Sequence, residues 1–193
     1  MTDLQSKSWK DFVWESTRKT RTVLFSSDVS NRSVSEIVDT LLALEDDDPE
    51  KPITILINSP GGSVNDGYAL VDIIRFISPQ VRVVGAGLVA SMGISLLLSV
   101  DKEFRFCLPN TRFMLHQPRF MGTVRGTVAE LEITASEMLK MKDKSNQEVA
   151  DATGQTLDKV AKDTARDFWL GSDEALKYGL VTQVISDVSE LSA

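Results

Sequence analysis

Histidine and cysteine are almost missing from this chain, which carries only His116 and Cys107 in 193 residues. One cysteine excludes an internal disulfide, and nothing else points to an oxidising compartment, so the expected location is cytoplasmic. A lone histidine excludes a His-rich metal site. No Cys-x-x-Cys pair and no Walker-type phosphate loop occurs either, so neither a metal nor a nucleotide cofactor is indicated. Positive charge is also short, with 21 Lys and Arg against 28 Asp and Glu and a net charge of −7. That balance argues against nucleic acid or an anionic membrane as a main partner, since both demand clustered cations. The N-terminus MTDLQSKSWKDF lacks the apolar stretch of a secretory signal. The longest apolar run, Val83 to Val100, is interrupted by Gly85, Gly87, Ser91, Gly93 and Ser95, too often to favour a membrane span of about 20 residues.

What remains is an ordinary globular composition, 42% apolar and 25% charged, and a length that fits one domain over 1–193. Residues 1–22 read as an N-terminal arm or helix bearing Trp9, Phe12 and Trp14. Ser33 with Glu36 reads as a capping box opening an amphipathic helix through Ile37, Leu41 and Leu44. The acidic run Glu45 to Glu50 reads as a solvated turn. ITILIN (53–58) reads as a strand buried on both faces, followed by a Pro-Gly-Gly turn and a helix over about 66–77. VRVVGA predicts a second buried strand, residues 90–100 an apolar helix, and FRFCL and TRFML two more strands around Pro109-Asn110. Such βαβ alternation implies an α/β fold with helices over a largely parallel sheet. Residues 126–152 predict one helix with a C-cap at Gly154, about 40 Å long, more than a domain of this size needs to cover its own core. A helix of that length wraps the domain or projects toward a partner. A short helix near 157–165, the segment DFWL, a helix over 173–178 and the strand VTQVIS complete the chain. Cys107, in an apolar run, reads as a core packer.

Three side chains can carry chemistry. Ser91 sits in GAGLVASMG, between a buried strand and an apolar helix, where unpaired helix N–H groups lie beside its hydroxyl; it reads equally as an N-cap. His116 follows TRFML and titrates near neutrality, as acyl transfer from serine requires; otherwise it is a packed or surface histidine. If a Ser-His mechanism operates, no other base is available. Asp167, in ARDFWL, is either a buried carboxylate orienting the imidazole or a solvated partner of Arg166. The turn NSPGG (58–62) allows close backbone approach, suiting main-chain binding of a peptide or donation to an oxyanion.

Taken together and in order, INSPGGSV (57–64), ASMG (90–93), FCLPNTRFMLHQP (106–118) and RDFWLGSDEALKYGL (166–180) resemble the ClpP family, the proteolytic subunits of the Clp proteases. The resemblance covers about residues 23–185. It implies a crotonase-like α/β spiral with a long handle helix, here starting near Gly126, that stacks two heptameric rings. It implies a serine endopeptidase with Ser91 as nucleophile, His116 as base and Asp167 as third member, and an oxyanion hole formed by the backbone of Gly62 and Met92. Substrates in the family are unfolded polypeptides delivered by a ring-shaped Clp ATPase, and the peptidase uses no cofactor.

Other segments depart from the family pattern. SKSWKDFVWESTRKTRTV replaces the usual gating stretch and tyrosine-bearing helix. Thr54 and Leu56 stand where many relatives place tyrosines of the ATPase-docking pocket, and Ala165 where many have a carboxylate used between rings. These changes resemble those of variant paralogues and imply co-assembly with a second ClpP into a mixed tetradecamer. Two rival readings follow: a catalytically silent or partner-activated ring subunit, and a crotonase-like acyl-CoA enzyme, which needs no Ser-His pair.

Overall fold

The longest strand organises the molecule. In the computed structural model, which describes residues 8–120 and 122–192, Val81–Ala90 forms a ten-residue strand, β3, that two shorter strands share end to end. The others are β1 (Thr22–Phe25), β2 (Ile53–Ser59), β4 (Arg105–Cys107), β5 (Arg112–Leu115), β6 (Phe168–Gly171) and β7 (Gln183–Val184). Val83 to Gly85 pair in parallel with Arg105 to Cys107, whereas Leu88 to Ala90 pair in parallel with Arg112 to Met114. One strand thus belongs to a sheet ordered β1-β2-β3-β4-β7 and also carries the branch β5-β6. All pairings are parallel except β5 with β6. FRFCL and TRFML therefore do not pair with each other, although a tight turn joins them.

The helices are α1 (Trp9–Thr20), α2 (Asn31–Asp47), α3 (Val64–Phe76), α4 (Met92–Leu97), α5 (Val128–Thr153), α6 (Leu157–Asp163) and α7 (Ser172–Tyr178). Ser30 rather than Ser33 caps α2. Its hydroxyl accepts from the Ser33 N–H while the Ser33 side chain returns to the Ser30 backbone, so Ser33 fills the third position of the capping box. The helix then continues through the acidic run as far as Asp47 instead of turning at Glu45. The arm of residues 1–22 includes α1, capped by Ser8 and Asp11; residues 1–7 lie outside the described ones.

Most of the core lies where α2, α3 and α4 cover β1 to β3, around Leu41, Leu44, Ile55, Leu70, Val83 and Leu97. A smaller cluster of Val84, Phe106, Ile185 and Leu191 covers part of the opposite face. Strand β2 is consequently not buried on both sides. Ile53, Ile55 and Ile57 are fully buried, but Thr54 and Leu56 are half-covered and Asn58 is exposed. The larger cluster packs on one side, and only the smaller one lies on the other. Cys107 is a fully buried packer, and burial pushes its thiol up to about 11.

Helix α5 runs 26 residues from its Thr127 cap to Gly154, which closes it in the left-handed conformation. Its buried residues are Asn146, Val149, Ala150 and Thr153, all in the last third. The first part carries Val128, Ile133 and Leu139 in the open.

Candidate active site

Strand registers bring distant residues together. Ala90 pairs with Met114 across β3 and β5, so the next residue on each side sets Ser91 near the end of β5. The Ser91 N–H donates to the Met114 carbonyl at 2.9 Å. Leu115 pairs with Phe168 across β5 and β6, which sets His116 beside Asp167. Gaps of 25 and 51 residues are closed by two ladders.

Ser91 turns the chain from β3 into α4 with φ 54° and ψ −121°, a conformation non-glycine residues seldom adopt. Its side chain makes no cap hydrogen bond. Instead Oγ lies 2.8 Å from His116 Nε2, so Ser91 holds the N-cap position of α4 without capping it through its side chain. Gly61 leaves room for this turn. A Cβ on Gly61 would come within 2.6 Å of the Ala90 carbonyl and of Ser91 Cβ, and its φ is +86°.

The NSPGG loop is fixed on both sides. The Gly61 carbonyl accepts from the Val29 N–H, and the Ser63 N–H donates to the Val29 carbonyl. Those bonds bracket Gly62 and turn its own N–H away from Val29, as alternation along an extended chain requires. Met92 opens α4, so its N–H has no intrahelical acceptor. Asn58 braces the loop by accepting from the Leu88 N–H at 3.1 Å and donating to Ser26 at 3.2 Å. Neither Gly61 nor Asn58 stood out in sequence beyond membership of the INSPGG motif; their roles depend on contacts with residues about 30 positions away.

His116 is nearly enclosed, with 10% of its side chain exposed. Burial holds its pKa below the usual 6.5, the positive charge of Arg119 lowers it further, and Asp167 partly opposes both. The imidazole is therefore neutral at pH 7, with Nε2 free to accept the Ser91 proton. Asp167 Oδ1 lies 3.4 Å from Nδ1, and the aspartate is 48% exposed. Asp167 faces the imidazole without being buried, because it sits on the loop entering β6, in an open pocket that Arg119 and Arg166 also line. Arg166 turns to the Ala165 carbonyl rather than pairing with Asp167. A hydroxyl, a neutral imidazole and a carboxylate in series can deprotonate the hydroxyl for attack on a carbonyl.

No group of three or more His, Cys, Asp or Glu among the described residues is arranged to hold a metal. No helix among them is long and apolar enough to cross a membrane.

Comparison with known proteins agrees with the motifs. The Clp protease family model matches residues 5–188. The ATP-dependent Clp protease proteolytic subunit of Paracoccus denitrificans is 46% identical over 169 residues, 88% of this chain and 83% of that protein. Proteolytic subunit 3 of Rhizobium meliloti is 42% identical over 176 residues, 90% of this chain and 87% of that protein. A single-substitution mutant of ClpP1 from Listeria monocytogenes superposes with a TM-score of 0.85 at 42% identity, covering 93% of this chain and 99% of its own. Its likeness extends to the α/β architecture and its parallel sheet. By motif, fold and overall sequence, this chain belongs to the Clp protease family.

Proposed function

We propose that this chain is a single-domain proteolytic subunit of an ATP-dependent Clp protease, a serine endopeptidase working in the cytoplasm on unfolded polypeptides delivered by a Clp ATPase. Ser91 Oγ attacks the peptide carbonyl as His116 Nε2 takes its proton. The imidazolium, steadied by Asp167, returns that proton to the leaving amine, leaving an acyl-enzyme. Water, deprotonated by the same imidazole, then hydrolyses the ester. The backbone N–H groups of Gly62 and Met92 hold the oxyanion, each such donor being worth about 3 kcal/mol.

The observation that carries this reading is the 2.8 Å contact between Ser91 Oγ and His116 Nε2. A serine held at positive φ has a cost of about 1–3 kcal/mol, which a purely structural turn would avoid with glycine. The contact also disfavours the silent-subunit reading, since a pseudo-subunit gains nothing from an assembled nucleophile and base. Nor does an acyl-CoA enzyme need that pair. Ring assembly is supported by the exposed first part of α5, whose apolar side chains suit a second ClpP chain, the same or a paralogue.

Ser91→Ala tests the proposal. The variant is expected to lose peptide cleavage and fluorophosphonate labelling while keeping its fold and assembly; undiminished cleavage would remove Ser91 from its role.

A further inference from the structure

A cavity of about 40 Å³ opens beside Ser91, walled by Met92 and Met141 and by the hydroxyl-bearing side chains of Tyr68, Ser95 and Ser145. Two of those hydroxyls share one partner. Ser95 Oγ donates to Glu148 Oε2 at 2.8 Å, and the Tyr68 hydroxyl donates to the same oxygen at 3.3 Å. Burial pushes the Glu148 carboxyl above its usual range and the Tyr68 hydroxyl up to about 12. The Lys144 ammonium stands 3.5 Å from the centre of the Tyr68 ring. A half-buried carboxylate on α5 therefore holds two hydroxyls, Ser95 and Tyr68, in the wall of a cavity that begins at Ser91.

The chemistry of that wall is directional. Ser95 has one proton, and Glu148 takes it, so the Ser95 oxygen meets the cavity as an acceptor. We propose that the cavity receives the substrate side chain on the acyl side of the scissile bond, and that Ser95, backed by Glu148, selects a short uncharged donor such as asparagine, serine or threonine. This inference rests on the peptidase reading above and adds its substrate class. Size and charge narrow the choice. A single water takes about 10–15 Å³ of such space, so the cavity has room for a few heavy atoms and none for an aromatic ring. Lys144 and Glu148, which stand behind Tyr68 and Ser95 and not in the lining itself, disfavour a second cation and an anion. An aliphatic side chain of asparagine's size fits, but it leaves the Ser95 oxygen buried without a donor.

The test is a set of fluorogenic peptides differing only at the acyl-side residue, assayed on the native assembly of the chain. Asparagine is expected to exceed leucine in kcat/KM by about tenfold or more, as sites built around a hydrogen bond discriminate. Ser95→Ala brings that ratio to about one. Glu148→Gln lowers it as well, because a carboxamide N–H then occupies the Ser95 oxygen; this variant carries the test if Ser95→Ala folds poorly. Fluorophosphonate labelling of Ser91 is followed in each protein. Leucine or phenylalanine matching asparagine, with normal labelling, overturns the inference and leaves the peptidase reading standing. Neither labelling nor cleavage of any peptide overturns both.

Discussion

Asp167 Oδ1 stands 3.4 Å from His116 Nδ1 on a side chain that is nearly half exposed. That is longer than a well-formed N–H···O bond of about 2.9 Å, and water competes for the same oxygen. The carboxylate orients the imidazole weakly, and burial and Arg119 outweigh it in setting the histidine's basicity. Asp167→Asn is therefore expected to lower kcat by less than the roughly 10⁴-fold loss known where a buried carboxylate of a serine protease is neutralised. Steady-state kinetics of the variant checks this; a loss of that full size would mean that the pair tightens once substrate binds.

The acidic limb of the pH profile follows from His116. In the proposed mechanism the neutral imidazole is the active form, and its pKa is held below 6.5, so kcat/KM should rise with an apparent pKa under that value. Removing the charge at Arg119→Ala should move the limb upward. Stability runs the same way. The unfolded chain binds a proton at about 6.5 that the native state resists, so this contribution is complete above that pH and declines as pH falls toward the native pKa. A limb unmoved in the variant would show that Arg119 does not act on His116.

Backbone strain at Ser91 separates two substitutions. Glycine relieves a cost of about 1–3 kcal/mol, against which its looser unfolded chain costs about 0.4–1 kcal/mol. Ser91→Gly should thus be more stable than Ser91→Ala by about 1 kcal/mol, both being inactive. Urea midpoints of the two proteins decide it, and equal midpoints would mean that the turn is not strained.

The open part of α5 should matter to assembly and not to folding. Ile133 is 65% exposed on a stretch with no buried residue. Ile133→Glu is expected to leave circular dichroism unchanged while reducing native mass from stacked rings to smaller species. Unchanged mass would place the interface elsewhere.

Much of the site was legible in local pattern. GAGLVASMG announces a strand, a corner and a helix, and the structure puts Ser91 at that corner. A helix too long for its domain is readable from 126–152, and α5 is exposed where that excess lies. Other features were not legible, each for a physical reason. Ser30 caps α2 although Ser33 offers the same chemistry, because only the chain path decides which residue stays extended. Thr54 and Leu56 look like core strand positions, but the small cluster on that side of β2 leaves them only half-covered.

Residue types and their spacing determined which groups this protein has for chemistry: one histidine, a serine before an apolar helix, glycines where backbone must approach backbone. They could not determine how those groups meet. The split pairing of β3 with β4 and β5 sets where Ser91 points, and the β5–β6 register delivers Asp167 to His116. A carboxylate from α5, 53 residues beyond Ser95, reaches that hydroxyl. Hydrogen-bond registers and helix packing are cooperative properties of the whole chain, so exposure, distance and pKa belong to the tertiary structure alone.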